Sequence, residues 1–330
     1  MAILVTGGAG YIGSHMVHEL NDAGEQVVVL DNLSTGFRFL LPNSVPMIVG
    51  HTGDQELVTK IITQHRVEAI IHFAASIVVP ESISDPLGYY RNNTVNTALL
   101  LQAAVASGVR QFIFSSTAGV YGNAEVVPVR EDSPTQPISP YGTSKLMSEI
   151  LLHDTARAHP LKFIVRRYFN VAGADPKMRT GQATPQATHL IKVTCETVLG
   201  QREKMNVFGT DYPTADGTCI RDYIHVTDLV RAHSAALAYL RRGGGSATFN
   251  CGYGHGYSVL EVLETARRVS GRNFPVEFAG RRAGDPASLV ADVSRIQSTL
   301  DWRPQYDNLD TIVSHALAWE RRLATKQASR

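Results

Sequence analysis

The stretch that decides the fold is Ala2-Ile3-Leu4-Val5-Thr6, then Gly7-Gly8-Ala9-Gly10-Tyr11-Ile12-Gly13, and, after a helical segment, Gln26-Val27-Val28-Val29-Leu30-Asp31. The first apolar run breaks at glycine and reads as a buried strand. Ile12, Met16, Val17 and Leu20 recur at helical spacing, so an amphipathic helix opens inside the glycine turn. Gln26 to Leu30 is a second apolar strand and stops at an acid. Strand, glycine turn, helix, strand and acid in that order form a dinucleotide-binding fingerprint in its required context. Glycines at 7, 10 and 13 let the backbone approach a pyrophosphate, whose charge sits at the N-terminus of the helix that Tyr11 and Ile12 open. A carboxylate at Asp31 accepts from adenosine ribose hydroxyls and repels a 2′-phosphate, so the expected cofactor is NAD rather than NADP.

Outward from this unit the alternation continues. Val45–Val49, Ala69–Phe73, Gln111–Phe114 and Lys162–Arg167 read as strands. Asp54–Gln64, a long segment within Pro86–Ser107, and Tyr141–Ala158 read as helices. Apolar strands alternating with helices predict an α/β protein with a doubly wound parallel sheet of the Rossmann type. This domain is expected over residues 1–170, with some later segments returning to it. Residues 171–330, where turn-rich segments interrupt the pattern, are expected to form mainly a smaller C-terminal α/β substrate domain. Ligands bind at the carboxyl ends of such strands. The chemistry is therefore expected at Gly7–Gly13, Asp31, Phe73-Ala74-Ala75, Ser115-Ser116-Thr117 and Tyr168-Phe169-Asn170.

One helix carries reactive groups. In Pro140-Tyr141-Gly142-Thr143-Ser144-Lys145, Tyr141 and Lys145 stand one turn apart and share a face. A phenol titrates near ~10, and a neighbouring ammonium favours its ionised form. A cationic cofactor ring adds to that shift, so the pair is expected to act as a general acid/base near neutral pH. A surface Tyr and Lys sharing a helix by chance is the ordinary alternative, and the array of strand ends argues against it. Thr117 is expected to hydrogen-bond the substrate hydroxyl that Tyr141 deprotonates. Asn92 and Asn93 are read as opening the helix after Tyr89-Tyr90, either as caps or as contacts to the cofactor or to the Tyr141–Lys145 helix.

In the C-terminal half, Arg221 and the Arg281-Arg282-Ala283-Gly284-Asp285 loop provide separated arginines. Guanidinium groups on loops flanking a crevice suit a diphosphate, which each binds with two parallel bonds. The chain has 330 residues, 44% hydrophobic and 18% charged, with a formal charge of +1. That balance gives no electrostatic reason to expect nucleic acid or an anionic membrane surface. No apolar stretch is long enough to span a bilayer, and the N-terminal run reads as a strand rather than a secretion signal. Cys195, Cys219 and Cys251 lack metal-ligand spacing and are expected as buried or half-buried free thiols of a cytoplasmic protein. His225 and His233 read as core or helix residues, and no metal is expected. Glu261–Arg268 and Thr311–Arg321 read as helices, and residues 324–330 as a fraying end.

With these residues in view, the sequence resembles the UDP-glucose 4-epimerases of the extended short-chain dehydrogenase/reductase family, from about residue 3 to about residue 320. The resemblance is carried by the glycine turn running on to Ser14-His15, Asp31-Asn32-Leu33, His72-Phe73-Ala74-Ala75, Ser115-Ser116-Thr117 with Val120-Tyr121-Gly122, and Pro140 to Lys145. It continues through Arg167 to Ala174, Val207 to Thr214, Asp216-Gly217-Thr218 with Arg221 to Val226, and Gly284-Asp285. It implies Tyr141 as catalytic acid/base, Lys145 on the nicotinamide ribose and Thr117 assisting. It implies NAD contacts from Gly7, Gly10, Tyr11, Ile12, Gly13, Asp31, Asn32, His51, Thr52, Phe73, Ala74, Ala75, Asn92, Ser115 and Phe169. Asn170, His189, Arg221, Arg282 and Asp285 would hold a UDP-sugar, Phe208 would pack on the uracil, and Leu289 would line the sugar pocket. Tightly held NAD and a homodimer are family traits. Departures are His51 where some relatives carry an acid, Ile77 where some carry lysine, Pro80 for a common glycine, and Lys192 for a common proline. Altered local cofactor contacts with retained activity are expected.

The activity implied is interconversion of UDP-glucose and UDP-galactose through a 4-keto sugar, with UDP-GlcNAc/UDP-GalNAc as a lesser pair. Related dehydratases need an Asp-Glu pair after the strand-end threonine; here Ala118-Gly119 follow Thr117. Sugar-nucleotide decarboxylation or reduction is the second enzymatic reading, and a silent NAD-binding protein the third. Intact Tyr141, Lys145 and Thr117 argue against the last.

Overall fold

The computed structural model describes residues 1–282 and 285–328. Its centre is a seven-stranded sheet in which every neighbouring pair is parallel. The strands are β1 (Ala2–Thr6), β2 (Gln26–Asp31), β3 (Met47–Val49), β4 (Val67–His72), β5 (Gln111–Thr117), β6 (Lys162–Tyr168) and Ala247–Cys251. Their spatial order is Ala247–Cys251, β6, β5, β4, β1, β2, β3. The chain thus runs outward from β1 in one direction, then returns to β4 on the other side of β1. The crevice between the ends of β1 and β4 is the switch point where ligands bind in such sheets.

Alternate residues of each strand feed two cores, as strand periodicity requires. Ile3, Val5, Ile71, Ile113, Ile164 and Phe249 face helix α1 (Tyr11–Asp22) and the helix Val226–Arg241. Leu4, Val28, Ile70, Phe112, Phe114 and Phe163 face the helices Gln55–His65, Asn96–Ala106 and Pro140–Ala158. Both sheet faces are therefore dry, which is why the strands read as continuous apolar runs.

Several boundaries differ from the sequence reading. The third strand is shorter, Met47–Val49, because Pro46 cannot donate to the ladder. Ser115, Ser116 and Thr117 belong to β5 itself, pairing with Arg166, Arg167 and Tyr168. Asn92 and Asn93 do not open a helix. They lie inside a π-helical turn, Tyr90–Val95, between the helices Pro86–Tyr89 and Asn96–Ala106. The helix expected over Glu261–Arg268 spans Val259–Ser270, between a Ser258 capping box and Gly271. The last helix runs from Leu309 to Ala328, well past Arg321, because Trp319 and Leu323 bury against Leu40 and Ala174. Ser329 and Arg330, read as part of a fraying end, lie outside the described residues.

The C-terminal half builds small sheets beside the large one. Ile220–Arg221 pairs with Tyr257–Ser258 and Ser288–Leu289, and Met205–Phe208 pairs with Val276–Ala279. Asn170–Ala172 pairs with Tyr223–His225. Cys195, Cys219 and Cys251 are all buried and unpaired. Among the described residues no helix is long and apolar enough to cross a membrane.

Candidate active site

At the switch point the glycine turn sits against the start of the segment after β4. Gly7 has φ +68°, and a Cβ there would meet the backbone N of Ala74 at 2.6 Å. A Cβ on Gly13 would fall 2.1 Å from the Gly7 carbonyl oxygen, so neither position tolerates a side chain. No side chain caps the N-terminus of α1 at Gly10, which leaves its first N–H groups for an anion. Asp31 is buried. Its carboxylate accepts from the N–H of Ala9 at 2.8 Å and of Leu33 at 2.8 Å, keeping lone pairs for ribose hydroxyls. Tyr11 donates to the Gly173 carbonyl at 2.7 Å, and Phe73 packs on His233 with ring centroids 5.1 Å apart. Thr52 is buried, whereas Asn32 and His51 are exposed. Asp54, close to His51, caps the helix Gln55–His65 through the N–H of Leu57. The glycine cradle, the uncapped helix and the buried acid together fit a dinucleotide.

The helix Pro140–Ala158 starts at Ser139, whose hydroxyl accepts from the N–H of Gly142 at 3.2 Å. A Cβ on Gly142 would meet the Gly119 carbonyl at 2.6 Å, so glycine there lets the helix press onto the turn that follows β5. This contact brings Tyr141 to Thr117. The Thr117 hydroxyl accepts from the N–H of Gly119 at 3.0 Å, and the Tyr141 ring lies beside it over the same glycine. Burial raises the Tyr141 phenol above its ordinary range, and the Thr117 hydroxyl pulls it back. The expected lowering by Lys145 is not what governs this phenol, because dehydration of the ring is the larger effect. Lys145 is 3% exposed, with Nζ 4.6 Å from the centroid of the Phe114 ring. Burial lowers its ammonium to about 7, and the Glu149 carboxylate acts to raise it.

Below this pair lies a polar network that includes one of the contacts read from the sequence, that of Asn93 to the Tyr141–Lys145 helix. His72 is buried between Thr6 and Thr97, at 2.6 Å and 3.0 Å, and burial lowers it to about 3, so its ring is neutral. Thr97 donates to the Asn93 carbonyl, which leaves Nε2 of His72 as the proton-bearing nitrogen. Asn93 accepts from the N–H of Ser76 at 2.8 Å and donates to Ser144 at 3.0 Å, and Ser144 donates to the Tyr141 carbonyl at 2.7 Å. Asn93 therefore ties the β4 exit to the Tyr141 helix, and the π turn gives it the inward direction to do so. Asn92 donates to the Ser76 hydroxyl at 2.9 Å and accepts from the Asn96 amide at 3.3 Å, without reaching the Tyr141 helix. A polar residue inside an apolar helix was the available signal for Asn93.

Across the crevice, Asn170, Arg221 and Leu289 are held by one residue, Asp222. The N–H of Asn170 donates to the Asp222 carbonyl at 2.9 Å, and the N–H of Asp222 donates to the Leu289 carbonyl at 3.2 Å. The buried Asp222 carboxylate accepts from the N–H groups of Tyr253, Gly254 and Ala291, and burial raises it to about 6. Arg221 donates to the Pro286 carbonyl at 2.8 Å and lies 3.5 Å from Asp285. Leu289 pairs with Arg221 and packs half-buried against the cluster of Phe169, Ala118 and Val120, at the edge of that core. Arg282 is exposed, its guanidinium 3.9 Å from the centroid of the Phe208 ring, so one aromatic face already carries a cation. His189 accepts or donates at Gln182 (2.9 Å), and burial lowers its pKa. His189 and Asn170 line one small cavity with Trp319 and Glu320. A wider cleft of about 480 Å³ opens at Tyr212, Arg281, Asp285 and Ser288. Gly284 and Ala283 lie outside the described residues. Ser115 is buried within β5 and Ile77 is exposed. Pro80 sits in the first turn of the helix Val79–Ser84, where its missing N–H costs nothing. Lys192 is buried in ion pairs with Glu196, at 3.2 Å, and Glu320.

Comparison with known proteins places this architecture. A UDP-glucose 4-epimerase of Azospirillum brasilense is 58% identical over 321 residues, 97% of this chain and 92% of that protein. The crystal structure of UDP-glucose 4-epimerase from Brucella ovis in complex with NAD superposes with a TM-score of 0.94 at 41% identity, covering 96% of this chain and 97% of that one. The UDP-Glc/GlcNAc 4-epimerase of Campylobacter jejuni superposes with a TM-score of 0.86 at 48% identity, covering 97% and 99%. Residues 3–252 match the model of the NAD dependent epimerase/dehydratase family, and the chain belongs to that family.

Proposed function

We propose that this protein interconverts UDP-glucose and UDP-galactose by epimerisation at C4, using tightly held NAD. The observation that supports this reading most is the contact of Tyr141 with Thr117 at a strand end, one helical turn from buried Lys145. Tyr141 takes the proton from the sugar 4-hydroxyl, and Thr117 orients both oxygens. Lys145 holds the nicotinamide ribose and favours the tyrosinate by its charge. Bound NAD supplies a hydride acceptor that becomes the donor once the 4-keto sugar has turned over in the pocket. Tyr141 then returns the proton to the oxygen it left. Gly7, Gly10, Tyr11, Ile12 and Gly13 take the pyrophosphate, Asp31 and Asn32 the adenosine ribose, and His51 and Thr52 the adenine end. Phe73, Ala74, Ala75, Asn92, Ser115 and Phe169 line the remaining length. Asn170, His189, Arg221, Arg282 and Asp285 hold the UDP-sugar, with Phe208 at the uracil and Leu289 near the sugar 2-substituent.

Residues 1–170 act as the NAD-binding domain, joined by Ala247–Cys251 as a returning strand, and residues 171–330 serve mainly the UDP-sugar. A cytoplasmic homodimer is the proposed form. Val95, Met147 and Ile150 are exposed on adjacent helices at 51%, 42% and 52%, an apolar surface suited to a second copy. Sedimentation velocity tests it, and a monomer at micromolar concentration overturns it. For the reaction, purified protein is incubated with UDP-glucose and the products resolved. UDP-galactose should form without NADH release; stoichiometric NADH would instead mark a net oxidation of the sugar.

A further inference from the structure

Behind Lys145 stands a buried charge that the reaction just described does not use. Glu149 follows Lys145 by one turn on the same helix, and its side chain is 3% exposed. Arg167 of β6 grips the Glu149 carboxylate through Nε at 3.1 and 3.2 Å and through a terminal nitrogen at 2.6 Å. The same carboxylate accepts from the Ser116 hydroxyl, whose residue immediately precedes Thr117. Arg167 is in turn held by the Tyr121 hydroxyl at 3.0 Å and the Glu131 carbonyl at 3.2 Å, and Tyr121 donates to Asn250 at 2.6 Å. Glu149 thus joins the helix of Tyr141 and Lys145 to the strand of Thr117 from beneath.

We infer that Glu149 is a positioning residue that keeps Lys145 charged and fixes the Tyr141 helix relative to Thr117. The inference rests on Lys145 having the role proposed above. The groups around Lys145 single out this acid. From β4, His72 is neutral and offers no counter-charge. From β5, the Phe114 ring covers Nζ, an attraction weaker than that of a carboxylate. Tyr141, on its own helix, is raised by burial, as are Tyr89 and Tyr168 nearby, so none is an anion in the free chain. Glu81 is engaged by the Tyr89 hydroxyl at 2.8 Å. Burial favours the neutral amine of Lys145, and Glu149 is the carboxylate that opposes it. Arg167 adds to this arrangement by holding the carboxylate in one orientation.

The test replaces the charge and keeps the shape: Glu149→Gln, with Ser116→Ala as the control that removes a bond to Glu149 and leaves the charge. Two readouts are taken on the holoenzyme. One is the pH profile of kcat; the other is the titration of Lys145 by 13C NMR of ε-labelled lysine, with the resonance assigned through Lys145→Met. In Glu149→Gln, the Lys145 titration and the high-pH limb of kcat should both move to lower pH by about one unit or more. At a pH just above the parent limb, that is a loss of about tenfold or more. Ser116→Ala should lower kcat with both midpoints in place. If Glu149→Gln does not fold, the double variant Glu149→Gln/Arg167→Gln carries the same test, since it leaves no unpaired buried charge. A Lys145 titration unmoved in the folded variant overturns the inference. A moved titration in a protein whose parent epimerises nothing overturns the proposed reaction and leaves the Glu149–Lys145 coupling standing.

Discussion

The two sides of the crevice are built by different physics. The proposed cofactor side is backbone: parallel strands, a glycine turn within van der Waals distance of Ala74, and an uncapped helix start. The proposed substrate side is side chains: Asp222 tying three segments, Arg221 on the Pro286 carbonyl, Arg282 stacked on Phe208. A backbone cradle recognises one invariant shape, a pyrophosphate at a helix end, and cannot be retuned by single substitutions without unfolding. Side-chain contacts on short strands and loops can be exchanged one at a time. The difference teaches where activity is set and where specificity is set. In the proposed reading, chemistry belongs to the rigid sheet ends, and discrimination between sugars belongs to the loops.

The sharpest way to break this comparison is at the sheet end. Tyr141→Phe removes the proposed proton-transfer group and should lower kcat by a factor of roughly 100 or more while fold and NAD content persist. Near-parent turnover in a folded, NAD-loaded variant would move the chemistry away from this helix.

Next in size is Lys145→Ala. The phenol of Tyr141 is already raised by burial, and losing the nearby ammonium raises it further. The base form is then reached only at higher pH, so kcat should fall by about tenfold or more at neutral pH and the optimum should rise. A pH–rate profile superimposable on the parent would separate Lys145 from Tyr141.

On the substrate side the effects should be smaller and graded by burial. Arg221 is 13% exposed at its side chain and held on two carbonyls, so its guanidinium is preorganised. Arg221→Ala should weaken UDP binding by about tenfold or more, as for a lost charge-assisted pair. Arg282 is exposed, and Arg282→Ala should cost less, about two- to tenfold. Calorimetry with UDP and with NAD decides it: NAD affinity should stay in both variants, and a loss of NAD instead of UDP would reverse the assignment of the two sides.

The finest effect concerns the choice of sugar. Leu289 edges the Phe169 cluster, and Leu289→Tyr adds bulk to a packed wall. Overpacking costs about 1–3 kcal/mol, so kcat/KM for UDP-GlcNAc relative to UDP-glucose should fall by about tenfold. An unmoved ratio, or a parent with no N-acetyl activity, would return Leu289 to a purely core role.

Much of the cofactor side was legible in the chain itself. The glycine spacing, the acid at position 31 and the apolar runs are local codes: each states a backbone need that residues close in sequence satisfy. Tyr141 and Lys145 were legible for the same reason, since a helix brings positions four apart onto one face. What the sequence left open depended on residues far apart in the chain. The strand Ala247–Cys251 joins the sheet beside β6 although about 80 residues separate them, and no local pattern encodes that pairing. Asn93 turned inward, not Asn92, because a π turn rotates the helix at that point. The phenol of Tyr141 rose instead of falling because burial, which only packing decides, outweighs a neighbour predicted from spacing. Glu149 drew no reading from the sequence, and it is β6 that places Arg167 against it. Sequence determined the elements, the glycine turn and the placing of Tyr141 and Lys145 on one helix face, since those rest on short-range geometry. Tertiary structure decided which polar groups are dehydrated together, and with them the charge states on which the chemistry depends, since desolvation is a property of everything packed around a group.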